Sequence, residues 1–188
     1  MQHNTPDRDR AEMSVPNLGQ KMPSDSPYTQ DEWLALVEAP VKLGRAMMAV
    51  SPSGLIGTTQ ELMALRKSYQ NAFDKTQNQI LLNMRQHLQD QHTLETMWED
   101  AGHALSDRRD TANVRQAALT ACQEAVVLLK KVPAQDAQAY KDFLYATALQ
   151  VAQAAKEGGS MGVGGVAVSA EEKSLLTDIS RVLGLRQS

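Results

Sequence analysis

Apolar residues return every three or four positions along most of the chain, and the breaks between these stretches carry proline, glycine and helix-capping residues. Thr29-Gln-Asp-Glu32 has the spacing of a capping box, in which the Thr hydroxyl accepts a backbone amide of the first turn and Glu32 reaches back to the cap amide. A helix is expected to follow, with Trp33, Val37, Val41, Gly44, Met47 and Met48 on one face and Pro40 either kinking it or opening its second part. Ser51-Pro-Ser-Gly54-Leu-Ile-Gly57 ends that helix, and Thr58-Thr-Gln-Glu61 predicts a second capped start.

Between Thr59 and Ala101 there is neither Gly nor Pro, and Leu62, Leu65, Tyr69, Phe73, Ile80, Met84, Leu88, Leu94 and Trp98 keep to one side. The stretch reads as one long helix, with a break near Asp74 as the alternative. Gly102 to Asp107 reads as a turn. A helix from about Arg109 to Lys131 then points Val114, Ala118, Cys122, Ala125, Val126 and Leu129 inward until Pro133 stops it. These two segments are expected to pair as an antiparallel hairpin.

Tyr140, Phe143, Leu144, Thr147, Ala148, Val151 and Ala155 mark a further helix with an Ala-rich contact surface, which the Gly-rich segment from Glu157 to Val168 breaks. Ser169-Ala-Glu-Glu172 is a third capping box, opening a helix that carries Leu175, Leu176, Ile179, Val182 and Leu183 and stops at Gly184. Outside Val163 to Val168 no alternation of useful length favours a strand. The fold class is therefore all-α: a helical bundle with two similar helix–loop–helix units, suggesting a pseudo-twofold core, and residues 72–131 between them as a helical hairpin elaboration. Residues 1–27 hold Pro6, Pro16, Pro23 and Pro27 among polar side chains and read as a disordered tail ahead of a single domain over 28–188.

Composition sharpens this picture. Only 4% of the 188 residues are aromatic while nine are Met, which suits closely packed helices with small contact residues better than a β-sandwich. A net charge of -3 and a pI near 5.8, with charges interspersed, argue against nucleic acid as a partner, since phosphate neutralisation needs a concentrated basic face. Mean hydropathy is -0.39 and no run of about 18 apolar residues exists, so integral membrane insertion is not expected. The first residues lack the apolar core of a secretory signal. The single cysteine, Cys122, excludes an intrachain disulfide and paired-Cys metal sites, and a cytoplasmic location is expected.

Three segments of the C-terminal unit carry a family resemblance: Ala154-Ala-Lys-Glu157-Gly158, then Val168-Ser-Ala-Glu-Glu172, then Leu175-Leu-Thr-Asp-Ile179-Ser-Arg-Val-Leu-Gly-Leu185. Together they resemble the signature of the tellurite-resistance TerB-like family, over residues 140–185 and faintly over 30–65. The resemblance implies an all-helical fold, a link to stress responses and a divalent metal held by acidic residues around the loop, here Glu157, Glu171 and Glu172. The sequence departs from the family pattern in three ways. Glu157 stands where the family has Asp, the loop is longer, and Ser51-Pro-Ser-Gly54 of the first unit holds no acid.

The residues themselves offer two further constellations. Gly158, Gly159, Gly162, Gly164 and Gly165 invite a phosphate-loop reading, but the Gly-Lys-Ser/Thr that a Walker loop places before its helix is missing, and a structural loop is the favoured reading. His92, Glu95, Glu99 and His103 fall within a helical face about 80° wide and have ligand types that suit Zn or Fe. The partner segment from 109 to 131 supplies only Asp110 and Glu124, fewer than a di-iron bundle needs, so a solvated polar flank is favoured. His87 lies on the apolar stripe and reads as a satisfied or interface residue, and Cys122 reads as an inert buried thiol.

The leading expectation is a non-enzymatic helical protein that binds a protein partner or a second copy of itself. Gln77, His87 and Gln91 interrupt the long apolar stripe at intervals that a partnered seam tolerates. A TerB-like metal or small-ligand protein is the alternative. Peripheral membrane attachment through Met161 and Val163 of the Gly-rich loop is the third.

Overall fold

A computed structural model describes residues 25–51, 54–74, 76–88, 111–154 and 168–185. Among the described residues all regular structure is helical: α1 (Gln30–Val50), α2 (Gly54–Asp74), α3 (Gln79–His87), α4 (Thr111–Leu128) with a 3-10 turn over Leu129–Lys131, α5 (Ala134–Ala154) and α6 (Ala170–Leu183). The protein is an all-α bundle.

Helix α1 is the centre of the bundle. Its expected apolar face is buried, and so are Leu36, Ala39, Leu43 and Ala46 on its other sides, as a helix surrounded by neighbours requires. It packs chiefly against α4 and α5, and also against α2 and α6. Helix directions follow from side-chain contacts. Lys131 at the end of α4 reaches Glu32 at the start of α1, so α4 runs antiparallel to it. Leu65 of α2 lies on Gly44 and Tyr69 bonds Val37, so α2 is antiparallel as well. Tyr140 in the second turn of α5 meets Leu36 in the second turn of α1, so these two 21-residue helices run parallel. The chain consequently leaves α1 and α5 at the same end of the bundle.

Two of the three expected capping boxes are formed. Thr29 N donates to Glu32 Oε2 at 2.8 Å while Glu32 N donates to Thr29 Oγ1 at 3.3 Å, and Ser169 and Glu172 repeat the pair at 2.7 and 3.2 Å. Gly184 closes α6 with φ of +68°, a left-handed conformation in which a side chain would be strained. Helix α1 continues through Pro40 as one element.

Two expectations are corrected. Helix α2 starts at Gly54, four residues ahead of the expected Thr58 cap, so Thr58 lies within the helix and Glu61 is buried in its second turn. The favoured single helix over 59–101 is broken after Asp74, and Asn78 starts α3 anew. Asn78 Oδ1 accepts Leu81 N at 3.0 Å, Asn78 N donates to Thr76 Oγ1, and Asn78 Nδ2 donates to the Asp136 carbonyl at 2.8 Å. A local cap and a tether to α5 thus outweigh the continuous apolar period. The expected hairpin turns within residues 89–110, outside the described residues; of its described parts, α4 packs on α1 and α6, while α3 packs on α2 and α5.

Candidate functional site

The expected metal-binding residues separate into those the structure places and those it does not. Glu157, the glycines Gly158, Gly159, Gly162, Gly164 and Gly165, and the set His92, Glu95, Glu99 and His103 lie outside the described residues. Glu171 is exposed in the first turn of α6, whereas Glu172 is buried. One Glu172 oxygen serves the cap by accepting Ser169 N, while Oε1 is buried without a hydrogen-bond partner among the described residues. Among the described residues no group of three or more His, Cys, Asp and Glu side chains stands where it could hold a metal ion. The Glu172 carboxylate is therefore first a capping group.

A second polar cluster closes the opposite end, where α1 begins. Trp33 Nε1 donates to Nδ1 of buried His87 at 3.5 Å, the Tyr28 ring stacks on Trp33, and Lys131 sits 5.9 Å above the Tyr28 ring while bonding Glu32. Lys131 and the Thr29 amide hold the Glu32 carboxyl below its ordinary range, and burial pushes the Tyr28 hydroxyl up to about 12. These shifts favour the ion pair and the neutral phenol at neutral pH. The groups staple the start of α1 to the end of α4 and to α3.

Cys122 faces the core between α4 and its neighbours, and burial pushes its thiol up to about 12. A thiol so rarely ionised is a packing group and a poor nucleophile.

The third place is a surface that the inward stripe of α4 did not reveal. Eight positions of α4 are exposed: Ala112, Asn113, Gln116, Ala117, Thr120, Gln123, Glu124 and Val127. Of these Glu124 is the charged one; exposed positions of α2 and α6 carry Arg66, Lys67, Asp74, Glu171, Lys173 and Arg181, whereas those of α5 carry Asp142 as their charged residue. Solvated helix faces ordinarily carry more charge than this one, which has a single carboxylate and, unlike the α5 face, ends in an exposed large hydrophobic side chain. At 100° per residue Asn113, Ala117, Thr120, Glu124 and Val127 fall within about 80° of each other.

At its C-terminal end this face runs into an open apolar groove of about 430 Å³ between α1 and α4, floored by Ala35, Val127 and Leu128 and rimmed by Asp31, Glu32, Gln123 and Glu124. Val127 is 60% exposed there, one of two large hydrophobic side chains so exposed among the described residues; Met63 on α2 is the other. Because Lys131 pairs with Glu32, Asp31 and Glu124 set the charge of the rim. A signal was legible in the sequence: from Ala112 to Val127 the side of α4 away from its apolar stripe reads Ala, Asn, Gln, Ala, Thr, Gln, Glu, Val.

Among the described residues no helix is long and apolar enough to cross a membrane. Comparison with protein-family models, with curated proteins and with solved structures finds no match for this chain.

Proposed function

We propose that this is a non-enzymatic helical protein that works by binding another protein chain, through the outer face of α4 and the groove where α4 meets α1. The observation that carries this reading is the end of the sparsely charged α4 face, where exposed Val127 stands over an apolar floor. Neutral amide, hydroxyl and small side chains lose little hydration on contact with a partner, and an apolar end beside them supplies the gain. Core burial of Cys122, with its raised thiol, speaks against a role as nucleophile.

The test is a photo-crosslinking side chain at position 127 of the full chain, irradiated in cells that express it, with the same side chain at exposed Met63 as reference. The expected result is adducts to a defined protein at position 127, absent at 63 and lost when Ala117 is changed to Glu. Equal, diffuse labelling at both positions would remove the reading.

A second reading, a TerB-like metal or small-ligand protein, is favoured by one observation: Glu172 is buried in the first turn of α6, and its Oε1 has no hydrogen-bond partner among the described residues. A divalent ion bound there would stabilise the native state, so Mg, Ca, Mn or Zn would raise the melting temperature of the wild type and not of Glu172→Gln. Melting temperatures that none of the four changes would eliminate it.

A further inference from the structure

We infer that the occupant of the α4 face is a second copy of this chain, packed antiparallel about a two-fold axis beside Thr120. The inference rests on the protein-binding reading above and names its partner. Its basis is the order of side chains along the face. An antiparallel pair centred on Thr120 sets Gln116 against Glu124 of the other copy, Asn113 against Val127, and Ala117 against Gln123. The charged exposed residue of α4 thereby meets a primary amide, which donates to its carboxylate, and it does so twice by symmetry. A parallel pair would instead bring Glu124 onto Glu124, and like charges in a contact disfavour it.

Two further features favour the antiparallel arrangement. The Asp31 and Glu124 carboxylates lie near the C-terminal end of α4, so the opposing copy brings the N-terminal end of its α4 there, where the helix dipole is positive. Ala117 and Thr120 at the centre are small enough for the helix axes to approach closely. Helix α4 has 18 residues and is about 27 Å long, so a contact confined to it falls short of the roughly 800 Å² per partner of a standard interface. The pair is a weak one that forms as concentration rises.

The experiment is sedimentation equilibrium of the full chain from about 1 to about 500 μM, a range that brackets weak association. The expected result is a mean mass rising from 20.6 kDa toward twice that value. Ala117→Glu, at an exposed position, is expected to weaken dimerisation at least about tenfold by placing like charges in the contact, with unchanged circular dichroism and melting temperature. In a Cys122→Ala background, Thr120→Cys is expected to give a disulfide-linked dimer under mild oxidation, and Gln138→Cys on the exposed side of α5 is not. A mass of 20.6 kDa throughout overturns the inference, as does a dimer that survives Ala117→Glu. Where the chain stays monomeric while the position-127 crosslinker captures a different protein, the second-copy inference falls and the protein-binding reading stands. Where neither is seen, both fall.

Discussion

Tyr140 donates its hydroxyl to the carbonyl of Leu36 at 2.5 Å, and Leu36 is the residue four positions before Pro40. In an uninterrupted helix that carbonyl would accept the amide of residue 40, but proline has no N–H to give. A side chain from α5 thus supplies the donor that α1 lacks at its buried centre, and Tyr69 of α2 donates to the next carbonyl, that of Val37, at 3.5 Å. Both tyrosines are buried, and burial holds both hydroxyls protonated well above the ordinary tyrosine range. The proline is tolerated because two neighbouring helices satisfy the backbone around it.

The Tyr140→Phe substitution is therefore expected to lose about 1–3 kcal/mol, the cost of leaving a buried carbonyl without a donor, although the ring and its packing are retained. In a Pro40→Ala background the same change is expected to cost well under half as much, because an alanine amide takes the Leu36 carbonyl. Urea unfolding of the four proteins of this cycle measures the coupling. Additive effects would show that the hydroxyl does not stand in for the missing amide.

Gly44 of α1 lies against Leu65 of α2. A Cβ built there would lie 2.7 and 2.8 Å from the two Cδ atoms of Leu65, and Leu65 is itself fully buried. In an exposed helix Gly→Ala gains about 1 kcal/mol of helix propensity. Here overpacking of about 1–3 kcal/mol is expected to exceed that gain, so Gly44→Ala destabilises. Adding Leu65→Val, which removes a methylene from the crowded side, is expected to recover part of the loss in thermal melts.

Much of the fold was legible in the sequence because its signals are local. Thr29 and Glu32, Ser169 and Glu172, and Gly184 each form the cap that their spacing predicts. The break between α2 and α3 was harder to read, since it contains neither Gly nor Pro and the apolar period of Tyr69, Phe73, Ile80 and Met84 runs across it. Its cause is partly distant, because Asn78 is tied to Asp136, 58 residues away. Residues with two possible roles were similarly opaque: Thr58 and Glu61 have capping-box spacing, yet the helix begins at Gly54. The outer face of α4 carries a weaker signal for another reason. An apolar stripe announces what a helix buries, whereas the proposed partner surface is marked by few charges and by one exposed valine, Val127.

Asn78 joins two tasks in one side chain, capping α3 through Leu81 N and holding the first turn of α5 through Asp136. Asn78→Ala is expected to cost about 1–2 kcal/mol for the cap, with some further loss for the tether. Asn78→Asp keeps the capping acceptor but replaces the donor to Asp136 with a second carboxylate, so it is expected to rescue little. Hydrogen exchange at the amides of α3 reports the effect, and equal protection in wild type and Asn78→Ala would contradict it.

Glu32 makes the stability of the α1–α4 junction dependent on pH. Its carboxylate accepts from Lys131 at 2.6 and 2.7 Å and from the Thr29 amide at 2.8 Å, and both interactions lower its pKa from the ordinary 4.5. Because the native state binds this proton less readily than the unfolded chain, the stabilisation is complete above the unfolded value, near 4.5, and is lost as pH falls through the lower native one. Glu32→Gln leaves an acceptor for the cap but removes the charge that Lys131 binds. The difference in melting temperature between wild type and Glu32→Gln is therefore expected to be constant from pH 6 to 8 and to shrink steadily below about pH 4.5. High salt is expected to reduce this difference at neutral pH, since the pair is partly exposed and screened by solvent. A difference that persists unchanged into strong acid would assign the effect of the substitution to packing and remove Glu32 from the electrostatics of the junction.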